Sequence, residues 1–177
     1  GMNATFTVAF YELTRQNVLT SDPANSGFSR QEGEVTSQGV EVEAHFNPMK
    51  GLNVIAGYSY TDAEVTKSSS NTLGNRPENT PNHMASLWGE YAFQDATLKG
   101  LSLGGGVRYV GRTTNLTDTV TVPSYVVADA MASYELGSWK LALNVVNLFD
   151  NEYIAACTYG CFYGDERTVT ATLSYRW

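Results

Sequence analysis

The sequence predicts an all-β protein, an antiparallel up-and-down transmembrane β-barrel wall of about eight strands. Three observations predict it. Apolar and polar residues alternate with period two through eight segments. Long polar connections and short ones take turns along the chain. Aromatic residues, with 11 Tyr, 7 Phe and 3 Trp among 177 residues, gather near the ends of the alternating segments.

The segments follow one another with the same logic. In the first, Ala4, Phe6, Val8 and Phe10 share a face. In the second, Val40, Val42, Ala44 and Phe46 oppose Glu41, Glu43 and His45. The third sets Leu52, Val54, Ala56, Tyr58 and Tyr60 against Asn53, Ile55, Gly57, Ser59 and Thr61. Around 81–94 the pattern is looser, with Ala85, Leu87, Tyr91 and Phe93 on one side. Leu101, Leu103, Val107 and Tyr109 oppose Ser102, Arg108 and Arg112. Val126, Ala128, Ala130, Ala132 and Tyr134 oppose Tyr125, Asp129 and Ser133, and Trp139, Leu141, Leu143 and Val145 oppose Lys140 and Asn144. The last segment is the cleanest: Val169, Ala171, Leu173, Tyr175 and Trp177 against Thr168, Thr170, Thr172, Ser174 and Arg176.

Residues 14–27, 67–80, 112–122 and 154–165 are expected to be long polar loops, and 47–51, 95–100 and 136–138 short links. In an up-and-down sheet this alternation sends every long loop to one end, the asymmetry of outer-membrane barrels. The faces follow from the same logic. The polar one, rich in Ser, Thr, Asn and Gly with Glu41, Glu43, Arg108, Arg112, Asp129 and Lys140, suits a wet lumen. The apolar one, with rings at its rims, suits lipid. A soluble barrel with its apolar face inward, or a sandwich capped by these tyrosines, is the competing arrangement.

Composition excludes other classes. The net charge is −7, charged residues make up 16%, and mean hydropathy is −0.23. No apolar run approaches the roughly 20 residues of a membrane-spanning helix. Without a cationic cluster, phosphate neutralisation has no surface to work on, so no nucleic-acid partner is expected. No nucleophile elbow, phosphate loop or paired carboxylates stands out, so no catalytic residue is assigned. Cys157 and Cys161 enclose only Thr158, Tyr159 and Gly160. Zinc would want four ligands, and His45 and His83 are distant in sequence, so no metal site is expected. The pair is expected to form a small disulfide ring in an oxidising compartment, with two unpaired thiols as the alternative. Gly1 ahead of Met2 is taken as an expression scar covering residues 1–2.

Several motifs resemble TonB-dependent outer-membrane receptors. Asn147-Leu148-Phe149-Asp150-Asn151-Glu152-Tyr153 resembles that family's N-L-F-D-x-x-Y motif. Tyr175-Arg176-Trp177 resembles the terminal strand whose aromatic end is read by the barrel-assembly machinery. Residues 13–20, Glu34 through Glu43 (with an S-x-G-V-E-x-E portion at Ser37 through Glu43) and Arg76 through His83 resemble further stretches of it. Cys157, Cys161, Phe162, Tyr163 and Gly164 resemble the siderophore branch near the ferrichrome (hydroxamate) receptors. The resemblance covers essentially the whole chain.

It implies an outer-membrane location, contact with outer-membrane lipid, uptake of a ferric siderophore and energy from the TonB complex. Such receptors have a 22-strand barrel and a plug. Residues 3–177 resemble only the C-terminal part of the barrel, without plug or TonB box. A self-contained eight-stranded outer-membrane barrel with a structural or adhesive role is the alternative. A ferric hydroxamate is already fully coordinated, so no cofactor is implied, and aromatic surfaces at the mouth are what the ligand requires. Tyr159, Phe162 and Tyr163 are therefore the candidate ligand contacts, with loop packing as the competing role for each. Asn147 and Asp150 are expected to bond nearby backbone, and Phe149 and Tyr153 to pack at the membrane interface.

Overall fold

A computed structural model describes residues 3–177, so the expected scar at 1–2 lies outside the described residues. The strands are β1 (Asn3–Ser21), β2 (Ser29–Met49), β3 (Leu52–Lys67), β4 (His83–Ala92), β5 (Leu101–Val110), β6 (Thr113–Thr114), β7 (Thr121–Val122), β8 (Tyr125–Leu136), β9 (Trp139–Val146), β10 (Ile154–Cys157), β11 (Cys161–Tyr163) and β12 (Thr168–Tyr175). Eight of them form one sheet in the order β1-β2-β3-β4-β5-β8-β9-β12, every neighbouring pair antiparallel. Among the described residues β1 and β12 are paired on one side only, so the sheet is an open wall. The short pairs β6–β7 and β10–β11 stand apart as hairpins inside the long connections.

Register turns the alternation into two continuous faces, because residues directly opposite one another point the same way. Phe6, Ala44, Ala56, Leu87, Val107 and Ala128 form one lateral row. One residue along each strand, Thr7, Glu43, Gly57, Ser86, Arg108 and Val127 form the row behind it. A one-residue slip of any strand would exchange its faces, so the apolar row fixes the pairing.

The apolar face has nothing packed on it. Phe10 is 82% exposed and Leu173 64%, and among the described residues the buried apolar ones are Ala63, Val65, Val122, Val127 and Cys157. The accessible surface is 11,918 Å², against roughly 8,500 Å² for a folded soluble chain of this mass. Exposed apolar surface on this scale marks a membrane or partner face.

Aromatic rings border the face at both ends. Tyr58, Tyr60 and Tyr109 lie toward the long connections, where the Tyr58 hydroxyl meets His83 Nδ1 at 2.9 Å. Tyr91 and Phe93 (centroids 5.1 Å apart) and Trp139 and Tyr175 (4.7 Å) lie toward the short links. Amphipathic rings at both rims of an apolar band are the arrangement of a lipid-facing barrel wall.

The first connection differs from expectation. Residues 14–21 continue β1, and the turn occupies only 22–28. Polar side chains on both faces made this stretch resemble a loop. Cross-strand polar pairs hold it as strand instead: Gln16 Nε2 donates to Glu34 Oε2 at 3.3 Å, and Lys67 Nζ lies 2.9 Å from the same oxygen. Lys67 keeps the Glu34 carboxyl below its ordinary range. The β1–β2 hairpin thus rises above the apolar band as a ladder stabilised by polar pairs.

Candidate functional site

The candidate elements lie at the end of the long connections. The first is the turn after β9, where Asn147 (φ 52°) and Asp150 (φ 56°) both adopt the left-handed conformation that Asn and Asp tolerate best. Asn147 is 1% exposed and organises the turn. Its amide nitrogen donates to the carbonyls of Asn151 (2.9 Å) and Asp165 (3.0 Å), and its side-chain oxygen accepts from the Asn151 N–H (2.9 Å). Its own backbone N–H donates to Asp129 Oδ1 at 3.0 Å. Asp150 Oδ1 accepts from the Arg167 N–H at 2.8 Å, and the Leu148 N–H donates to the Ala128 carbonyl at 2.7 Å. Both expected backbone-bonding roles are present.

Phe149 is 70% exposed. Tyr153 departs from its expected interface position. Its ring stacks on Tyr125, centroids 4.2 Å apart, on the polar face of β8. Gly164 covers the other side of the Tyr153 ring so closely that any Cβ there would overlap it. The motif therefore clamps the start of the last long connection against the inner wall.

The second element is the β10–β11 hairpin, closed by a disulfide between Cys157 and Cys161. Tyr159 at its tip is fully exposed, Phe162 and Tyr163 largely so. The hairpin is tethered on its inner side, where the buried Cys157 donates its N–H to Asn79 Oδ1 at 2.9 Å, across 78 residues. Asn79 in turn donates its N–H to the Thr114 carbonyl at 3.0 Å. One asparagine thus joins three long connections. Local pattern does not single out Asn79; the available signal is an Asn between Pro77 and Pro81, a residue type that tolerates the left-handed conformation it adopts (φ 55°).

The inner wall carries the remaining chemistry. Arg108 clasps Asp129 through Nε (2.8 Å) and Nη2 (3.1 Å), and Asp129 also anchors Asn147. Trp88, absent from the expected inner face, lies over the glycines of β5: a Cβ on Gly106 would stand 2.7 Å from its Cε3. Among the described residues no cluster of three His, Cys, Asp or Glu side chains is placed to hold a metal. At the far end, Arg176 donates its N–H to the Ser138 carbonyl at 2.9 Å, and Trp177 is fully exposed beyond β12.

Comparison with known proteins agrees with this geometry. Residues 1–148 match the profile of the TonB dependent receptor-like β-barrel. The chain is 46% identical to the ferrichrome outer membrane transporter/phage receptor of Escherichia coli K12, covering 96% of this chain and 24% of that protein. It is 37% identical to the ferrioxamine B receptor of Salmonella typhimurium, covering 99% and 26%. Among solved structures, the siderophore receptor PiuA from Acinetobacter baumannii superposes with a TM-score of 0.80 at 26% identity, covering 97% of this chain and 26% of that one. The chain spans about a quarter of the length of the curated relatives it matches.

Proposed function

Given that the chain belongs to the TonB-dependent receptor β-barrel family, whose members are outer-membrane receptors and transporters and not an enzyme class, we propose that it forms the C-terminal wall of a receptor that takes up ferric siderophores. The carrying observation is a sheet with one apolar, ring-bordered face and one charged face, open at β1 and β12. Open edges are not tolerated in lipid, so further strands complete the barrel. A self-contained eight-stranded barrel would need β1 to pair with β12, and the strand order leaves them at opposite edges.

The hydroxamate class is supported by the ferrichrome and ferrioxamine named for the relatives. A ferric hydroxamate offers a compact, coordinatively saturated surface, and Tyr159, Phe162 and Tyr163 offer rings on a disulfide-closed hairpin at the mouth. The disulfide and the Asn79 tether lower the ordering cost of presenting those rings. Energy would come from the TonB complex through a plug seated against the inner wall. The exposed terminal Tyr175 and Trp177 would serve as the signal to the barrel-assembly machinery, and outer-membrane lipid would bathe the apolar face. The test is ferric-hydroxamate binding to the detergent-purified receptor, read by intrinsic fluorescence quenching. Alanine at Tyr159, Phe162 and Tyr163 together should weaken binding at least tenfold, and unchanged affinity would remove these residues from the site.

A further inference from the structure

Asp129 is the point where the barrel wall and the last long connection meet. It lies on the inner face of β8, and register sets it directly opposite Gly106 of β5. Gly106 has no side chain, and Arg108, two residues along on the same face, reaches Asp129 diagonally. Arg108 Nε donates to Oδ2 at 2.8 Å and Nη2 to Oδ1 at 3.1 Å. This two-point grip fixes the plane of the carboxylate as well as its position. The same Oδ1 accepts the Asn147 N–H at 3.0 Å. Arg108 thus sets where Asn147 finds its acceptor.

The consequence runs outward along the chain. Asn147 holds the carbonyls of Asn151 and Asp165, which flank the β10–β11 hairpin on either side. Next to Asp165, the Gly164 N–H donates to the Tyr153 carbonyl at 2.8 Å. The two stems of the hairpin are therefore closed on each other at Asn147. The Leu148 N–H and the Asn151 side chain also reach β8, at the carbonyls of Ala128 and Val126. The bond to Asp129 differs in resting on a side chain of the wall, and so on Arg108. The hairpin's other tether, from Cys157 to Asn79, leads to a neighbouring long connection. The Arg108 side chain is 51% exposed, and an ion pair with so open a partner adds little to stability by itself. Its geometry, and not its strength, is what the hairpin uses. We propose that Arg108 is a positioning residue for the β10–β11 hairpin, orienting Asp129 so that Asn147 holds the hairpin stems at a fixed place on the wall. Its effect on ligand affinity rests on the reading that Tyr159, Phe162 and Tyr163 touch the ferric hydroxamate.

Fluorine NMR of the detergent-purified full receptor, with 3-fluorotyrosine in place of Tyr159, reads the order of the hairpin. Ferrichrome titration reads affinity in the same samples. In Arg108→Gln the fluorine line should narrow as the tip gains motion, while Tm stays at the value of the unaltered protein. Ferrichrome affinity should fall about fivefold, the order of one lost element of pre-organisation. Asp129→Ala, which removes the acceptor itself, should narrow the line at least as much. The double variant should go no further than Asp129→Ala alone, because both residues act through one oxygen. An unchanged line in Arg108→Gln overturns the inference, with or without a lowered Tm, since a lowered Tm is all that a purely structural pair would show. Full additivity in the double variant overturns it as well. A narrowed line with unaltered ferrichrome affinity supports the positioning and instead removes the hairpin from the ligand site.

Discussion

The side-chain amide of Asn147 reaches across the last long connection to the backbone carbonyl of Asp165, 3.0 Å away and 18 residues on. That bond closes the base of the loop that carries the candidate ligand contacts. It belongs to a chain of contacts that starts on the inner wall, since Arg108 fixes Asp129 and Asp129 holds the Asn147 N–H. The motif is a clamp between barrel wall and loop.

Replacing Asn147 by Ala removes three side-chain hydrogen bonds and puts a poorly suited residue at φ 52°. Each lost bond deprives a part-buried backbone group of Asn151 or Asp165 of its partner, at about 0.5–1.5 kcal/mol, partly recovered by water near the loop. A net loss of roughly 2–4 kcal/mol is expected, read as a lower urea midpoint in detergent. Asn147→Gly keeps the backbone conformation and should fall between the two.

Tyr153 and Gly164 form a coupled contact. Gly164→Ala drives a methyl group into the Tyr153 ring and should displace it from Tyr125. Near-ultraviolet circular dichroism should lose tyrosine signal in this variant and in Tyr153→Ala, while Tyr153→Phe, which preserves the stack, should resemble the unaltered protein.

On the inner wall, Gly106→Ala overpacks against Trp88 and should cost about 1–3 kcal/mol. Trp88→Ala relieves the ring contact but not the clash of the same Cβ with the Leu87 carbonyl, so the double variant should lose only somewhat less than the sum of the two single losses. Unfolding midpoints of the four proteins measure that difference; strict additivity would separate Trp88 from Gly106.

The turn between β1 and β2 supplies a pH dependence. The Asp22 carboxylate accepts from the Asn25 side chain and the Ala24 N–H, both at 2.9 Å, and Arg30 lies 3.0 Å away. With the Asn25 bond contributing most, these hold its pKa at about 2 against an ordinary 3.8. A depressed carboxyl stabilises the fold fully above pH 3.8 and loses that contribution as the pH falls toward 2. The protection factor of the Phe28 amide, whose N–H is bonded to the Asn25 carbonyl, should fall across that window. Asp22→Asn should abolish the dependence.

The strands of the central wall were legible because one period-two pattern serves both register and membrane placement: β12 can be read directly from Val169, Ala171 and Leu173 against Thr170 and Thr172. The upper half of β1 was not. Its ladder depends on Glu34 and Lys67 from two other strands, and in isolation Thr14 through Ser21 has no apolar face. The bond from Cys157 to Asn79 joins residues 78 apart, a distance over which local pattern carries no information. Trp88 was hidden by its neighbours: Leu87 takes the apolar position, and the glycine run 104–106 that makes room for the indole lies on another strand. Tyr153 was misplaced for a similar reason, since its partner Tyr125 sits at the start of β8, with the whole β8–β9 hairpin between them.

The most direct test places spin labels singly along β12 in the receptor reconstituted into liposomes and measures collision with oxygen and with a water-soluble nickel chelate. Labels at Val169, Ala171 and Leu173 should be oxygen-accessible, and labels at Thr170, Thr172 and Ser174 chelate-accessible, in strict alternation. Alternation of the opposite phase, or equal chelate access at all six positions, would contradict a lipid-facing wall and with it the receptor function proposed for this chain.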